Sequence, residues 1–242
     1  QNYGLGTSRA EYGAIQAQPT DTIGNEYTYG TADGWYIRGV ELALNSSNGI
    51  RMSDNGTVDS CLIYGHSVTG IGADRNVGGL IYGNTLEANG YESAPGAGAN
   101  GANIKVTFIN GHEGRTSIVP VAAQRTPATF QVANNTFNAT RAGITGTTNI
   151  GFWADLDCSL VEVTGNTFSN HPWCGIMFEG GNAVSATSNQ ITNSDGYGNC
   201  LGEDFILGAI TVAETTNCMI LGNTITNSVR ALVNRQSNRS AD

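Results

Sequence analysis

Apolar and polar residues alternate at short range along this chain, and Gly, Asn or Ser breaks the alternation every few positions. Gly, Asn and Thr interleave with Ile, Val and Phe, the pattern of many short strands joined by turns. The Glu-, Lys-, Leu- and Ala-rich runs of amphipathic helices are absent. Two blocks recur in fixed order. The first opens on Gly and continues into an apolar run: "GIRMS" from Gly49, "GIGAD" from Gly70, "GANIK" from Gly101, "GFWAD" from Gly151, "GIMFE" from Gly175 and "GAITV" from Gly208. The second is an Asn followed by Thr or Gln and then an apolar residue, at Asn84, Asn135, Asn166, Asn189 and Asn223. "IYGHSVTG" puts His66 in the same slot.

The starts of the first block are 21, 31, 50, 24 and 33 residues apart. The shorter intervals suit one turn of a parallel β-helix, and the longer ones carry loops, the largest a stretch near 110–128. Each turn contributes short strands whose inward Ile, Val, Leu and Phe stack on the next turn. The repeated Asn suits a bend, because it tolerates the left-handed region and stacks its amide on the Asn of the next coil. A β-sandwich does not require this order of blocks, and leucine-rich spacing is absent. The expected fold is all-β: a right-handed parallel β-helix of about six to eight coils, spanning 35–242 after an N-terminal extension or irregular first coil at 1–34.

Aligning the first blocks on their Gly yields a polar column. The fifth positions are Ser53, Asp74, Lys105, Asp155, Glu179 and Val212. Equivalent positions on successive coils lie about 4.8 Å apart, so Asp74, Lys105, Asp155 and Glu179 are expected in one line, with Lys105 the chain's single lysine. Two readings of that line are open. Alternating charges on neighbouring strands stabilise and solubilise a sheet face. The same line also suits a site, because stacked carboxylates repel unless they share a proton or hold a cation. Asp157, two residues beyond Asp155, is expected on the same face. Asp155, Asp157 and Glu179 then form an oxygen cluster suited to Ca²⁺, or to the acid and base of a glycosidase. Lys105 is placed as an electrostatic clamp. The aromatic residues Trp153 and Trp173 and the neighbouring His171 are candidate sugar contacts, and Arg115 in the long insertion is placed to wall a groove.

Charged residues make up 13% of the 242 positions, and the net charge is −9. An acidic chain with one lysine lacks the electrostatic footprint of a nucleic-acid binder. No run of apolar residues is long enough to span a membrane. The five cysteines include no C-x-x-C pair, which argues against zinc, and their odd number leaves at least one outside any intrachain disulfide. Cys158 and Cys174 are candidates for a bridge between adjacent coils. Five N-x-S/T sequons begin at Asn45, Asn55, Asn134, Asn138 and Asn238, which fit a surface exposed in a secretory route.

The motifs "GFWADLDC", "VEVTGNTF" and "GIMFE", with "GANIKV" upstream, resemble the secreted right-handed parallel β-helix repeat proteins of the pectate-lyase-like superfamily. The resemblance covers about residues 35–233. It implies the fold, and it implies lyase, hydrolase, epimerase, tailspike or inert surface roles without choosing among them. Two functions follow as expectations. One is a secreted carbohydrate-active protein that binds a polysaccharide on one solenoid face and cleaves it, with Asp155, Asp157, Glu179 and Lys105 carrying the chemistry and Asp74 orienting. The other is a structural or adhesive surface protein whose coils stack end to end on other subunits. Gln1 is expected as the first residue of a processed chain, and neither end of the sequence shows an obvious solenoid cap.

Overall fold

A computed structural model describes residues 13–16, 34–44, 48–74, 76–90, 101–110, 127–144, 147–194 and 207–235. All regular structure there is strand, gathered into three parallel sheets. Sheet A has eight strands: β1 (Gly13–Gln16), β4 (Asn48–Arg51), β7 (Thr69–Asp74), β10 (Ala102–Thr107), β13 (Ile150–Asp155), β16 (Cys174–Glu179), β19 (Ile210–Ala213) and β22 (Leu232–Arg235). Sheet B has seven: β2 (Tyr36–Arg38), β5 (Thr57–Asp59), β8 (Gly79–Tyr82), β11 (Phe130–Ala133), β14 (Val161–Thr164), β17 (Ser185–Thr187) and β20 (Met219–Leu221). Sheet C also has seven: β3 (Glu41–Ala43), β6 (Leu62–Tyr64), β9 (Thr85–Glu87), β12 (Thr136–Asn138), β15 (Thr167–Ser169), β18 (Gln190–Thr192) and β21 (Thr224–Thr226). Every third strand is a neighbour, so each coil runs A to B to C and the next coil lies on top. This is a three-sided parallel β-helix. Its first described strand, β1, lies within the stretch expected as an N-terminal extension and pairs with β4.

The core is built from in-register stacks. Ile50, Ile71, Ile104, Phe152, Ile176 and Ile210 form one inward column of sheet A. Ile63, Leu86, Phe137, Phe168 and Ile191 form another in sheet C, with the rings of Phe137 and Phe168 stacked at 4.4 Å. Period-two alternation places these side chains inside and their neighbours outside.

The bend between sheets B and C explains the repeated Asn. Asn84, Asn135, Asn166, Asn189 and Asn223 pass amide hydrogen bonds along the solenoid, each Nδ2 donating to the next Oδ1 at 2.9–3.0 Å. The same Oδ1 atoms accept the backbone N–H of the previous coil's Asn, as Asn166 does for Asn135 at 2.9 Å. The left-handed residue is the one before the Asn: Gly83, Asn134, Gly165, Ser188 or Gly222. Gly is favoured there because it adopts positive φ without strain. Cys61 holds the ladder slot one coil earlier, its N–H donating to Asn84 Oδ1 at 2.8 Å. His66, expected in that slot, instead occupies the next bend, between sheets C and A, where its N–H donates to Asn89 Oδ1. Among the described residues no helix is long and apolar enough to cross a membrane.

Candidate functional site

The middle strands of sheet A turn Ile104, Val106, Phe152, Ala154, Ile176 and Phe178 into the main core. The residues between them face outward in two columns. One holds Arg51, Gly72, Lys105, Trp153, Met177 and Thr211. The other holds Asp74, Thr107, Asp155, Glu179 and Ala213.

This register corrects the expected column at two positions. Thr107, not Lys105, stands between Asp74 and Asp155, and Ala213, not Val212, follows Glu179. The reason lies at the start of the strand. The slot filled by Gly in β7, β13 and β16 is filled in β10 by Asn103, so Gly101 is not the equivalent glycine. A side chain at Gly70 would meet Asn103 O at 2.8 Å, so only Gly fits beside it. Asn103 turns its amide inward instead, accepting from Asn89 at 2.9 Å and lying 3.2 Å from His171 Nε2.

Lys105 still reaches Asp155, diagonally across one strand. Its Nζ lies 3.0 Å from Asp155 Oδ2 and 3.6 Å from the centre of the Trp153 ring, a cation–aromatic contact. The Trp153 indole N–H in turn donates to Glu179 Oε2 at 3.2 Å. At the other end Thr107 Oγ1 donates to Asp74 Oδ1 at 2.6 Å, and Arg51 lies 3.9 Å from Asp74. Asp155 and Glu179 are neighbours in register, 5% and 3% exposed. Asp155 Oδ1 is buried and has no hydrogen-bond partner.

The other expected site residues fall elsewhere. Trp153 is 2% exposed and belongs to a second apolar cluster on the outer side of sheet A, with Ala102, Ile150, Cys174, Met177 and Leu207; the half-buried Trp173 packs against it. Trp153 is therefore a packed ring rather than an open sugar platform. Asp157 leaves the face, because β13 ends at Asp155 and both Leu156 and Asp157 are left-handed. The expected calcium cluster of Asp155, Asp157 and Glu179 does not form: among the described residues no group of three or more His, Cys, Asp or Glu could hold a metal. His171 is fully buried, edge-on to Phe168, rather than facing a ligand. Burial pushes its imidazole down to about 3 and that of His66 to about 4, so both are held neutral. Arg115 and the insertion expected to wall a groove lie almost wholly outside the described residues.

Cys158 packs in the main core and Cys174 in the outer cluster, on opposite sides of the sheet, and both are free thiols. Thr107 and the Trp153–Glu179 bond escaped the sequence reading. A period-two count from Lys105 finds Thr107, whereas no sequence signal announces that the outer face of sheet A is covered.

A family model described as the right-handed β-helix region matches residues 27–225. Searches of curated proteins and of solved structures returned no match.

Proposed function

The chain belongs to the right-handed β-helix family, and from that premise we propose that it is a secreted or cell-surface protein that binds a polysaccharide on the outer side of sheet A and cleaves it. The observation that carries this reading is the pair Asp155 and Glu179, adjacent in register and nearly buried, with Asp155 Oδ1 lacking a partner. Two carboxyl groups at strand spacing are the equipment of glycosidic bond cleavage. A buried acceptor without a donor is costly, and such atoms are kept at reactive sites more readily than in plain scaffolding. Exposed sequon residues Asn55 and Asn134 suit an extracellular surface.

The test is release of reducing ends, or of an unsaturated uronate, from a broad glycan panel by the purified protein. Glu179→Gln is expected to abolish the release. A wild-type protein that leaves every glycan intact and binds none refutes the reading.

A second reading, a surface or filament protein whose coils stack on other subunits, draws on one observation. Leu232 occupies an inward position in register with buried Ile210, yet it is 52% exposed. Light scattering across a concentration series distinguishes this reading, which requires growth into end-to-end polymers.

A further inference from the structure

Lys105, Asp155 and Glu179 stand on three successive strands of sheet A, β10, β13 and β16. Lys105 Nζ lies 3.0 Å from Asp155 Oδ2, and the two side chains are only 15% and 8% exposed. Glu179 is in register with Asp155, one strand spacing of about 4.8 Å away, and it too is nearly buried. Trp153 touches all three groups from one side: its ring lies 3.6 Å from Nζ, and its indole N–H is one of the contacts of Glu179. Met177 packs with that ring in the outer apolar cluster. An amine, a carboxyl and a second carboxyl are therefore held together away from water.

An ordinary ion pair explains this trio poorly. Taking a charged pair out of water costs hydration, and the cost is recovered only when the remaining lone pairs are satisfied as well. Asp155 Oδ1 is buried without a donor. The same arrangement suits a reaction between the two side chains, which needs no substrate from solution. Reacting groups held in contact have an effective concentration of about 10⁵–10⁸ M. A neighbouring carboxyl carries protons between them, and the exclusion of water opposes hydrolysis of the product.

We infer that Lys105 and Asp155 join in an intramolecular isopeptide bond, with Glu179 as the proton carrier. The Lys105 ammonium passes one proton to Asp155 across their contact, which leaves an amine and a carboxylic acid. Nζ attacks Asp155 Cγ, and the C–N bond forms. Glu179 takes a second proton from the nitrogen and delivers it to the departing oxygen. The C–O bond breaks, and one water leaves. Ammonium and carboxylate thus become an uncharged amide, with no oxidant, cofactor or second substrate. The bond staples β10 to β13 across the longest interval of the repeat, 50 residues. Closing so long a loop restricts the unfolded chain, as a disulfide does, and Cys61, Cys158, Cys174 and Cys218 are free thiols. A joined Asp155 has no carboxyl to offer a sugar, so the bond goes with the surface-protein reading rather than with cleavage.

The mass of the denatured wild-type chain is expected to lie below the sequence mass by one water. Protease digestion is expected to yield a branched peptide that joins Lys105 to Asp155. Lys105 is the chain's single lysine, so an amine-reactive reagent should find no side-chain amine even in denaturant. These readings use the unaltered protein, and misfolding of a variant cannot mimic them. Lys105→Arg and Asp155→Ala are expected to show their full sequence masses. Glu179→Gln is expected to leave most chains unjoined with an unchanged β-rich circular dichroism spectrum. A wild-type chain of full mass with a reactive Lys105 overturns the bond. So does a loss of water that maps to other residues or persists in Lys105→Arg. Joining as complete in Glu179→Gln as in the wild type overturns the role of Glu179. The glycan panel is a separate readout: full mass leaves cleavage by the Asp155–Glu179 pair standing, whereas a joined Asp155 removes it.

Discussion

The indole N–H of Trp153 and the carboxylate of Glu179 meet at 3.2 Å across neighbouring strands, and the same indole lies under the Lys105 ammonium. One buried ring thereby ties a cation to a carboxylate on the outer side of sheet A. Trp153→Phe keeps an aromatic ring but removes the donor and weakens the cation contact. The expected cost is about 2 kcal/mol, combining a lost hydrogen bond to a charged group and part of a cation–aromatic contact. The midpoint of urea unfolding measures it. A shift no larger than that of Met177→Leu, one coil away, would show that the bond contributes nothing.

The amide ladder should be less tolerant than the surface. Asn166 accepts from the N–H and Nδ2 of Asn135 and donates to Val132 O and Asn189 Oδ1. Asn166→Ala strands several buried groups at once, and the expected loss is about 3 kcal/mol or more. Asn223→Ala, at the half-buried end of the same ladder, should lose clearly less. Equal losses in chemical denaturation would contradict a ladder whose bonds gain strength from burial.

Acid should weaken the fold through two histidines. His66 and His171 are pushed down to about 4 and about 3 by burial. Unfolded histidine takes its proton near 6.5, so between that value and the folded ones the unfolded chain binds more protons. Stability therefore falls as pH drops below about 6.5, and this contribution levels off below the folded values. At about pH 5 the expected penalty is roughly 2 kcal/mol per histidine. Denaturation midpoints of the wild type and of His171→Asn at about pH 7 and about pH 5 measure it. The variant should lose less stability than the wild type across that interval.

Glycine at the start of the sheet A strands is set by space rather than by φ. A Cβ on Gly151 would stand 2.5 Å from Phe168 Cδ1 and 2.6 Å from the backbone oxygen of Gly175. On Gly175 the nearest atoms are Ile191 Cγ2 at 2.9 Å and Ala209 O at 3.2 Å. Gly151→Ala should therefore cost more than Gly175→Ala, by about 1 kcal/mol or more, because backbone yields less than a methyl group. Thermal midpoints of the two variants give the order, and the reverse order would refute the packing argument.

Much of the scaffold is readable from residue order. Coils without long insertions keep an interval of 21 to 24 residues, so the 24 residues from Asp155 to Glu179 translate directly into adjacent strands, as their pairing shows. The Asn bends are readable for a similar reason: one amide on every coil has the same partners above and below. Reading fails where one residue changes lane. Asn103 replaces a glycine, and Lys105 then lies two positions from where counting from Gly101 puts it. Cys61 fills an Asn slot, and His66 moves to the next bend.

By itself, then, the sequence determined the strand period, the coil repeat, the amide ladder and the neighbourhood of Asp155 and Glu179, because each depends on local spacing and on like residues stacking on like. Tertiary structure alone decided that Trp153 is buried, that His171 faces the core, that Asp157 turns away and that Lys105 pairs with Asp155 on the diagonal. Those outcomes depend on what covers the outer face of a sheet and on how long side chains lean across strands. Period-two alternation separates inside from outside, but it carries no information about whether the outside meets water.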